Sequence, residues 1–375
     1  MLDRTRTFCI AAAVLLLAGC GSSADSGAVR IALIGDRDAP FETGLRLSMP
    51  GQQVRAATVE GLVGLDATGE VIPALAERWI VTDDGMSYIF RLRNSDWPDG
   101  RPMTAEQVRD ALRRTLRDLS GTSLGLDLAP VSEVRAMTGR VIEIRLSSPM
   151  PDLLQLLAQP EMGVFHRQAG SGPMTLERDE RAVRLSLLPP EARGLPTSEN
   201  WREGTRVLAI RALPSRAAVD AFVAGEVDLV LGGTIVDFPL APTGPLSRGT
   251  VRLDAAQGLL GLRVLRPEGL LAEPARREAL GLAIERETLL APFNIAGWIP
   301  STRIAPVSAV GETATERWSN STIEQRRADA ARRIAAYAGD KTLTVTLPEV
   351  PGSDLHLREI AADWREVGVN AVRAR

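Results

Sequence analysis

Residues 61–108 run GLVGLDATGEVIPALAERWIVTDDGMSYIFRLRNSDWPDGRPMTAEQV. Two β-rich runs, Arg78 to Val81 and Ser87 to Arg93, flank Thr82, Asp83, Asp84 and Gly85. An Asp-Gly pair between such runs specifies a hairpin, because the turn needs backbone conformations that these residues tolerate. Downstream, Thr104 and Gln107 have capping-box spacing, each side chain satisfying a backbone N–H that the helix start leaves free. Val108, Leu112 and Leu116 then repeat on one helical face.

Outward from this block, the chain reads as further alternation of strands and helices. Ahead of it, Val29 to Ile34 is a short β-rich run, a polar stretch follows through Phe41, and Val54 to Leu65 has helical character. After it, Ile142, Ile144 and Leu146 alternate as a half-buried strand does, closed by Pro149 and Pro151. Met174 and Leu176, then Val183, Leu185 and Leu187, suggest two strands. Arg206 to Ala212, a helix from Ser215 to Ala224 and Val227 to Leu231 form a β-α-β unit. The Gly/Pro-rich stretch 232–245 reads as a connector. Beyond it lie an expected strand at Leu259 to Leu265, a helix with Pro274 in its first turn, and a helix opened by Ser321 with Glu324. The last part, Thr342 to Leu347, a helix from Asp354 carrying Leu357, Ile360 and Trp364, and Val369 to Val372, spells a second β-α-β unit. A strand with no element after it to cover it leads us to expect an incomplete final region.

The length of 375 residues implies two to three domains. Apolar residues at 45% and charged residues at 24% are ordinary for a soluble globular chain. With 44 basic against 47 acidic side chains, net charge -3, no excess of positive charge exists to displace counterions from a phosphate backbone, so nucleic acid is excluded as an expected partner. The amino terminus carries Arg4 and Arg6, an apolar run from Phe8 to Gly19, and Cys20. Such a run is shorter than the roughly 20 residues that span a bilayer and suits a signal peptide over residues 1–19. Leu17, Ala18, Gly19 and Cys20 resemble the lipobox of bacterial lipoproteins, which implies cleavage before Cys20 and its acylation. Residues 21–28, GSSADSGA, then form a tether with a reach of roughly 16 Å.

No catalytic constellation emerges. His166 and His356 stand about 190 positions apart with no neighbouring ligand residues, so neither a metal nor a cofactor is expected. Gly121, Thr122, Ser123, Leu124 and Gly125 satisfy GxSxG, but the string follows a helix, whereas a nucleophile elbow sits on a strand-to-helix turn. Gly170, Ser171, Gly172 and Pro173 would make a poor phosphate loop, because Pro173 donates no N–H and a strand follows. Lys341, the single lysine, rules out a Walker motif, and Asp36, Asp38, Asp83 and Asp84 lie on turns where capping is the default.

The 61–108 block resembles the signature region of family 5 extracellular solute-binding proteins, the oligopeptide, dipeptide and nickel binders of ABC importers. Pro73 to Glu77 with Trp79, the Asp84-Gly85 hairpin, and Asp99-Gly100 ahead of Thr104-Ala105-Glu106 match in order and spacing. GSGPM at 170–174 is similar to the family's G-T-G-P-Y, with Met174 in place of Tyr. AVDAFVAGEVDLV (218–230), PARREALGLAIERETLL (274–290) and DLHLREIAADWREVGVNAV (354–372) are similar to further family blocks. Arg263-Val264-Leu265 departs from the usual Phe-Asn pair, and the family usually runs on past the equivalent of Val372, through an Asp-Tyr motif that holds a peptide's α-amino group.

The resemblance implies an α/β, two-lobed periplasmic-binding-protein-like (type II) fold with an extra small α+β subdomain and an incomplete second lobe. The expected boundaries are 29–50 with 167–246 for the first lobe, 51–166 for the added subdomain and 247–375 for the second lobe. The implied function is non-enzymatic: a lipid-anchored binder on the periplasmic side of the envelope. It would take a peptide or similar small polar solute into an interlobe cleft and deliver it to an ABC permease in the inner membrane. Phe41, Gly172, Met174, Gly233, Thr234 and Trp298 are the expected ligand contacts. The alternatives are an envelope lipoprotein serving as a protein-contact module without transport, and a secreted hydrolase working through Ser123.

Overall fold

The computed structural model describes residues 27–374 apart from 138, 168, 180–181, 243–250, 255–258, 294, 296–297 and 306–315. The expected signal peptide and Cys20 therefore lie outside the described residues. The chain divides into two units, Met1–Gly232 and Gly233–Arg375. The second begins inside the stretch that the sequence reading gave to the first lobe. Its opening residues fold onto their own unit, where Gly352 N–H donates to Val236 O at 3.0 Å.

Unit 1 holds β1 (Val29–Ile34), helix α1 (Met49–Thr58), β2 (Val63–Leu65), β3 (Val71–Pro73), β4 (Ala76–Val81) and β5 (Ser87–Leu92). Helices α2 (Ala105–Asp118) and α3 (Ser123–Asp127) follow, then β6 (Val131–Ala136), β7 (Val141–Leu146) and helix α4 (Leu153–Leu157). The unit continues through β8 (Phe165–His166), β9 (Ala169–Gly170), β10 (Met174–Arg178), β11 (Val183–Leu187), β12 (Leu208–Leu213), helix α5 (Ser215–Val223) and β13 (Leu229–Leu231).

Its main sheet has the order β10-β11-β12-β1-β13, with β12, β1 and β13 parallel and β10 to β12 antiparallel. Strand alternation gives β1 two cores. Ile31 and Leu33 pack with Val54, Val183, Leu185 and Ile210 on one face, while Ala32 packs with Ala218, Ala221 and Val227 of the α5 crossover on the other. The β-α-β unit read from the sequence is present, but β1 pairs between its two strands. Helix α1, assigned above to the added subdomain from residue 51 on, buries Val54 in this sheet's core.

A four-stranded antiparallel sheet, β4-β5-β7-β6, carries the hairpin and helix quoted first. Asp84 Oδ1 accepts from Thr82 Oγ1 at 2.6 Å and from Met86 N at 2.9 Å, locking the turn. The capping box forms: Gln107 N–H donates to Thr104 Oγ1 and Thr104 N–H to Gln107 Oε1. Phe90, Leu112, Ile142 and Ile144 are among the fully buried residues between sheet and helix. The helical expectation at Val54 to Leu65 holds only to Thr58. Glu60 beyond it pairs with Arg93 at 2.6 Å, and β2 pairs with β3, so tertiary partners override helix propensity there.

In unit 2, helices α6 (Pro274–Ala283), α7 (Arg286–Leu290) and α8 (Ile323–Ala335) precede β14 (Thr342–Val345), helix α9 (Pro351–Glu366) and β15 (Asn370–Arg373). Strands β14 and β15 are parallel and joined by α9, the expected β-α-β unit. Leu280, Ala283, Ile334, Ile360 and Trp364 form the core. Two expectations shift. Helix α8 is capped by the Thr322–Gln325 box instead of Ser321 and Glu324, and α9 starts at Pro351. One fails: Leu259 to Leu265 pairs with no strand among the described residues, and Leu265 is 65% exposed. Alternating apolar residues make a strand only when a neighbour takes their backbone hydrogen bonds.

Candidate ligand-binding site

In open sheets with parallel strands, ligands sit beyond the carboxyl ends of the strands where the strand order reverses. In unit 1 that point is the end of β1, because the chain places β12 on one side of β1 and β13 on the other. The segment after β1 contributes Leu45 and Arg46 to an open concavity of about 570 Å³, within the range of small-molecule sites. Gln52 of α1, Ser123 and Asp127 of α3, and Glu161 line it as well, with Leu119, Leu124 and Leu156 supplying apolar wall. Gln52 Nε2 lies 3.5 Å from Glu161 Oε1. The lining thus offers a cationic group, two carboxylates, two carboxamides (Gln52 and Gln159) and hydroxyls around an apolar base.

The backbone carrying these groups is fixed from below. Glu42 Oε2 accepts the Ser48 N–H at 2.6 Å, and Ser48 Oγ accepts the Gly51 N–H as the cap of α1. Arg55 on α1, 4% exposed, donates from Nη2 to Glu42 O at 2.9 Å and lies 5.2 Å over the Phe165 ring. Burial pushes the Arg55 guanidinium below its ordinary value, against the raising pull of the Glu161 and Glu42 carboxylates.

The expected contacts divide between the units. In unit 1, Phe41 lies beneath the Arg178 guanidinium at 3.9 Å, and both Phe41 and Met174 pack on the Ile31–Leu33 core. Phe41 lines a separate recess of about 160 Å³ with Arg37, Asp38 and Arg211. Gly172 is pressed onto α1's end: a Cβ there would fall 2.1 Å from the Thr58 carbonyl carbon, so only glycine fits. None of these three lines the larger concavity.

In unit 2, Gly233 leads into a turn in which Thr234 donates to Asp237 Oδ2 from N at 2.8 Å and Oγ1 at 2.7 Å. Phe238, held through Thr234 O, meets Trp298 edge-on at 6.1 Å, and Phe293 packs on Trp298 at 6.0 Å. Phe293 also stacks on His356 at 4.8 Å. His356 Nδ1 is 2.8 Å from Gly352 O, which makes Nδ1 the donor, and Nε2 is buried without a partner among the described residues. Ser353 Oγ is likewise buried and unpartnered. Thr234 and Trp298 therefore share one neighbourhood, and it includes His356, set aside above as a metal ligand, and Ser353, which the sequence reading did not single out.

Ser123 opens a five-residue helix that follows helix α2, and Thr122 caps it by accepting the Gly125 N–H at 3.0 Å. That is not the strand-to-helix turn of a nucleophile elbow, and no histidine lines the concavity beside it. Among the described residues no three His, Cys, Asp or Glu side chains converge as metal ligands, and no helix is long and apolar enough to cross a membrane.

The family model for bacterial extracellular solute-binding proteins, family 5 (middle), matches residues 70–372. The chain is 23% identical over 366 residues to the periplasmic oligopeptide-binding protein OppA of Salmonella typhimurium, covering 86% of this chain and 66% of that protein. It is 28% identical over 192 residues to the nickel-binding protein NikA of Staphylococcus aureus, covering 48% of this chain and 36% of that protein. The chain thus spans 66% or less of the length of these relatives. Among solved structures, OppA of Burkholderia pseudomallei superposes with a TM-score of 0.73 at 20% identity, covering 94% of this chain and 76% of that chain. OppA of Haemophilus influenzae, in complex with the peptide RPPGFSPFR, gives 0.72 at 16% identity, covering 92% and 75%. The α/β, two-lobed periplasmic-binding-protein fold expected from the sequence is the fold of these neighbours.

Proposed function

Given that the chain belongs to the bacterial extracellular solute-binding proteins of family 5, we propose that it is the ligand-capturing component of an ABC importer, taking a peptide or similar small polar solute and delivering it to a membrane permease. The observation that carries this reading is the 570 Å³ concavity, mixed in polarity, to which the segment between β1 and α1 contributes Leu45 and Arg46. A micromolar dissociation constant needs about 8 kcal/mol net. Hydrogen bonds from desolvated groups such as Arg46, Gln52 and Glu161 supply it when each finds a partner in the solute. Phe41, Gly172 and Met174 within unit 1, and Gly233, Thr234 and Trp298 within unit 2, are proposed as further contacts, each in the neighbourhood of its own unit. Capture involves no bond making or breaking; a solute that binds one conformation better shifts the population toward it.

Cleavage before Cys20 and acylation of its sulfur would tether the binder at the periplasmic face of the envelope and raise the local concentration of loaded binder near its permease. Metabolic labelling with a radiolabelled fatty acid tests this, with label expected on the wild type and lost in Cys20→Ala. For the binding function, isothermal titration of the delipidated protein with a tripeptide library is expected to give saturable heat. Silence across peptides, sugars and metal chelates would overturn the reading.

A further inference from the structure

The segment from Glu42 to Ser48 brings Leu45 and Arg46 to the concavity, and the buried Arg55 side chain holds its start. Arg55 is 4% exposed; its Nη2 holds Glu42 O at 2.9 Å, its face lies on Phe165, and the carboxylates that pull on its charge are Glu161 and Glu42. Glu161 lines the concavity, and Glu42 takes the Ser48 N–H that closes the segment. Arg55 Nη1 has no partner among the described residues. A buried cation with an unmade hydrogen bond is costly, and an apolar residue at this position of α1 would fill the same space without that cost. Such a group persists where its fixed geometry serves something else.

We propose that Arg55 is the positioning residue of the unit-1 concavity: through its Nη2 bond to Glu42 O it anchors the Glu42–Ser48 segment, so that Leu45 and Arg46 are presented to the solute from a fixed backbone. The inference rests on the reading of this concavity as the solute site. Arg55 touches no solute itself.

Hydrogen exchange by mass spectrometry on the full chain, comparing wild type, Arg55→Lys and Arg55→Met, tests it. Amides of residues 43–48 should exchange at least tenfold faster in Arg55→Met, with those of β5 and β7 within twofold of wild type. Arg55→Lys, which keeps the charge and one donor, should restore much of the protection and keeps the test open if the methionine variant does not fold. Unchanged exchange at 43–48, or a rise shared equally by the whole unit, would overturn the proposal. On the same samples, tripeptide-library binding by native mass spectrometry should weaken at least tenfold in Arg55→Met and recover in part in Arg55→Lys. Equal binding by all three proteins also overturns it. A wild type that binds no peptide sinks the solute-binding reading instead, while the exchange result still decides whether Arg55 holds the segment.

Discussion

Arg30 at the start of β1 grips Asp228, just ahead of β13, with both ends of its guanidinium: Nη2 lies 2.6 Å from Oδ1 and Nε 3.1 Å from Oδ2, and the Arg30 backbone N–H adds a bond to Oδ2 at 2.9 Å. This pair registers β13 on β1 and so sets where the segments after both strands emerge. The Arg30 hydrogen bonds lower the Asp228 carboxyl from 3.8 to about 2. Because its value in the folded state lies below its unfolded value, its stabilisation is full above the unfolded value and lost as pH falls through the folded one. The thermal midpoint of wild type should exceed that of Asp228→Asn by a constant margin above about pH 5, and the margin should close between about pH 4 and 2. A margin independent of pH would show that the charge plays no part.

Gly172 is the point where the chain returning from the four-stranded module presses on α1's end. Gly172→Ala should cost about 1–3 kcal/mol, the range for overpacking a site that cannot give way, as read by urea unfolding. An unaffected midpoint would mean that the Thr58 backbone yields.

Asp363 in unit 2 accepts from Arg327 Nη2 at 2.5 Å and from the Glu285 N–H at 2.9 Å, fastening the α6–α7 junction to α8 and α9. Asp363→Ala leaves Arg327 and a backbone N–H unpaired and should lower stability by about 2–3 kcal/mol, less than a fully buried pair because Arg327 is partly exposed. Asp363→Asn, which keeps an acceptor, should lose less. Calorimetric unfolding of both variants decides, and equal losses would assign the effect to charge alone.

What the sequence made legible follows the range of the interactions involved. The Asp84 turn and the Thr104–Gln107 box are closed by partners within a few residues, so local chemistry specifies them. The placement of β1 between β12 and β13 depends on partners nearly 200 residues away, and no local pattern encodes it. Leu259 to Leu265 has strand-like alternation yet no paired neighbour among the described residues, so periodicity without partners misled. Arg46, Asp127 and Glu161 belong to no motif in the sequence; only folding gathers them on one concavity. Arg55 was the harder case, since an arginine at helical spacing gives no sign that it is buried.

The central claim is that the unit-1 concavity captures a small polar solute. Isothermal titration with the same tripeptide library, run on wild type, Arg46→Ala, Glu161→Gln and Leu229→Ser, tests it most directly; Leu229 is 42% exposed and lies outside the cavity lining. The account predicts saturable binding by wild type and Leu229→Ser, weakened at least tenfold, about 1.4 kcal/mol, in each cavity variant. Undiminished binding in both cavity variants, or none in the wild type, would contradict it.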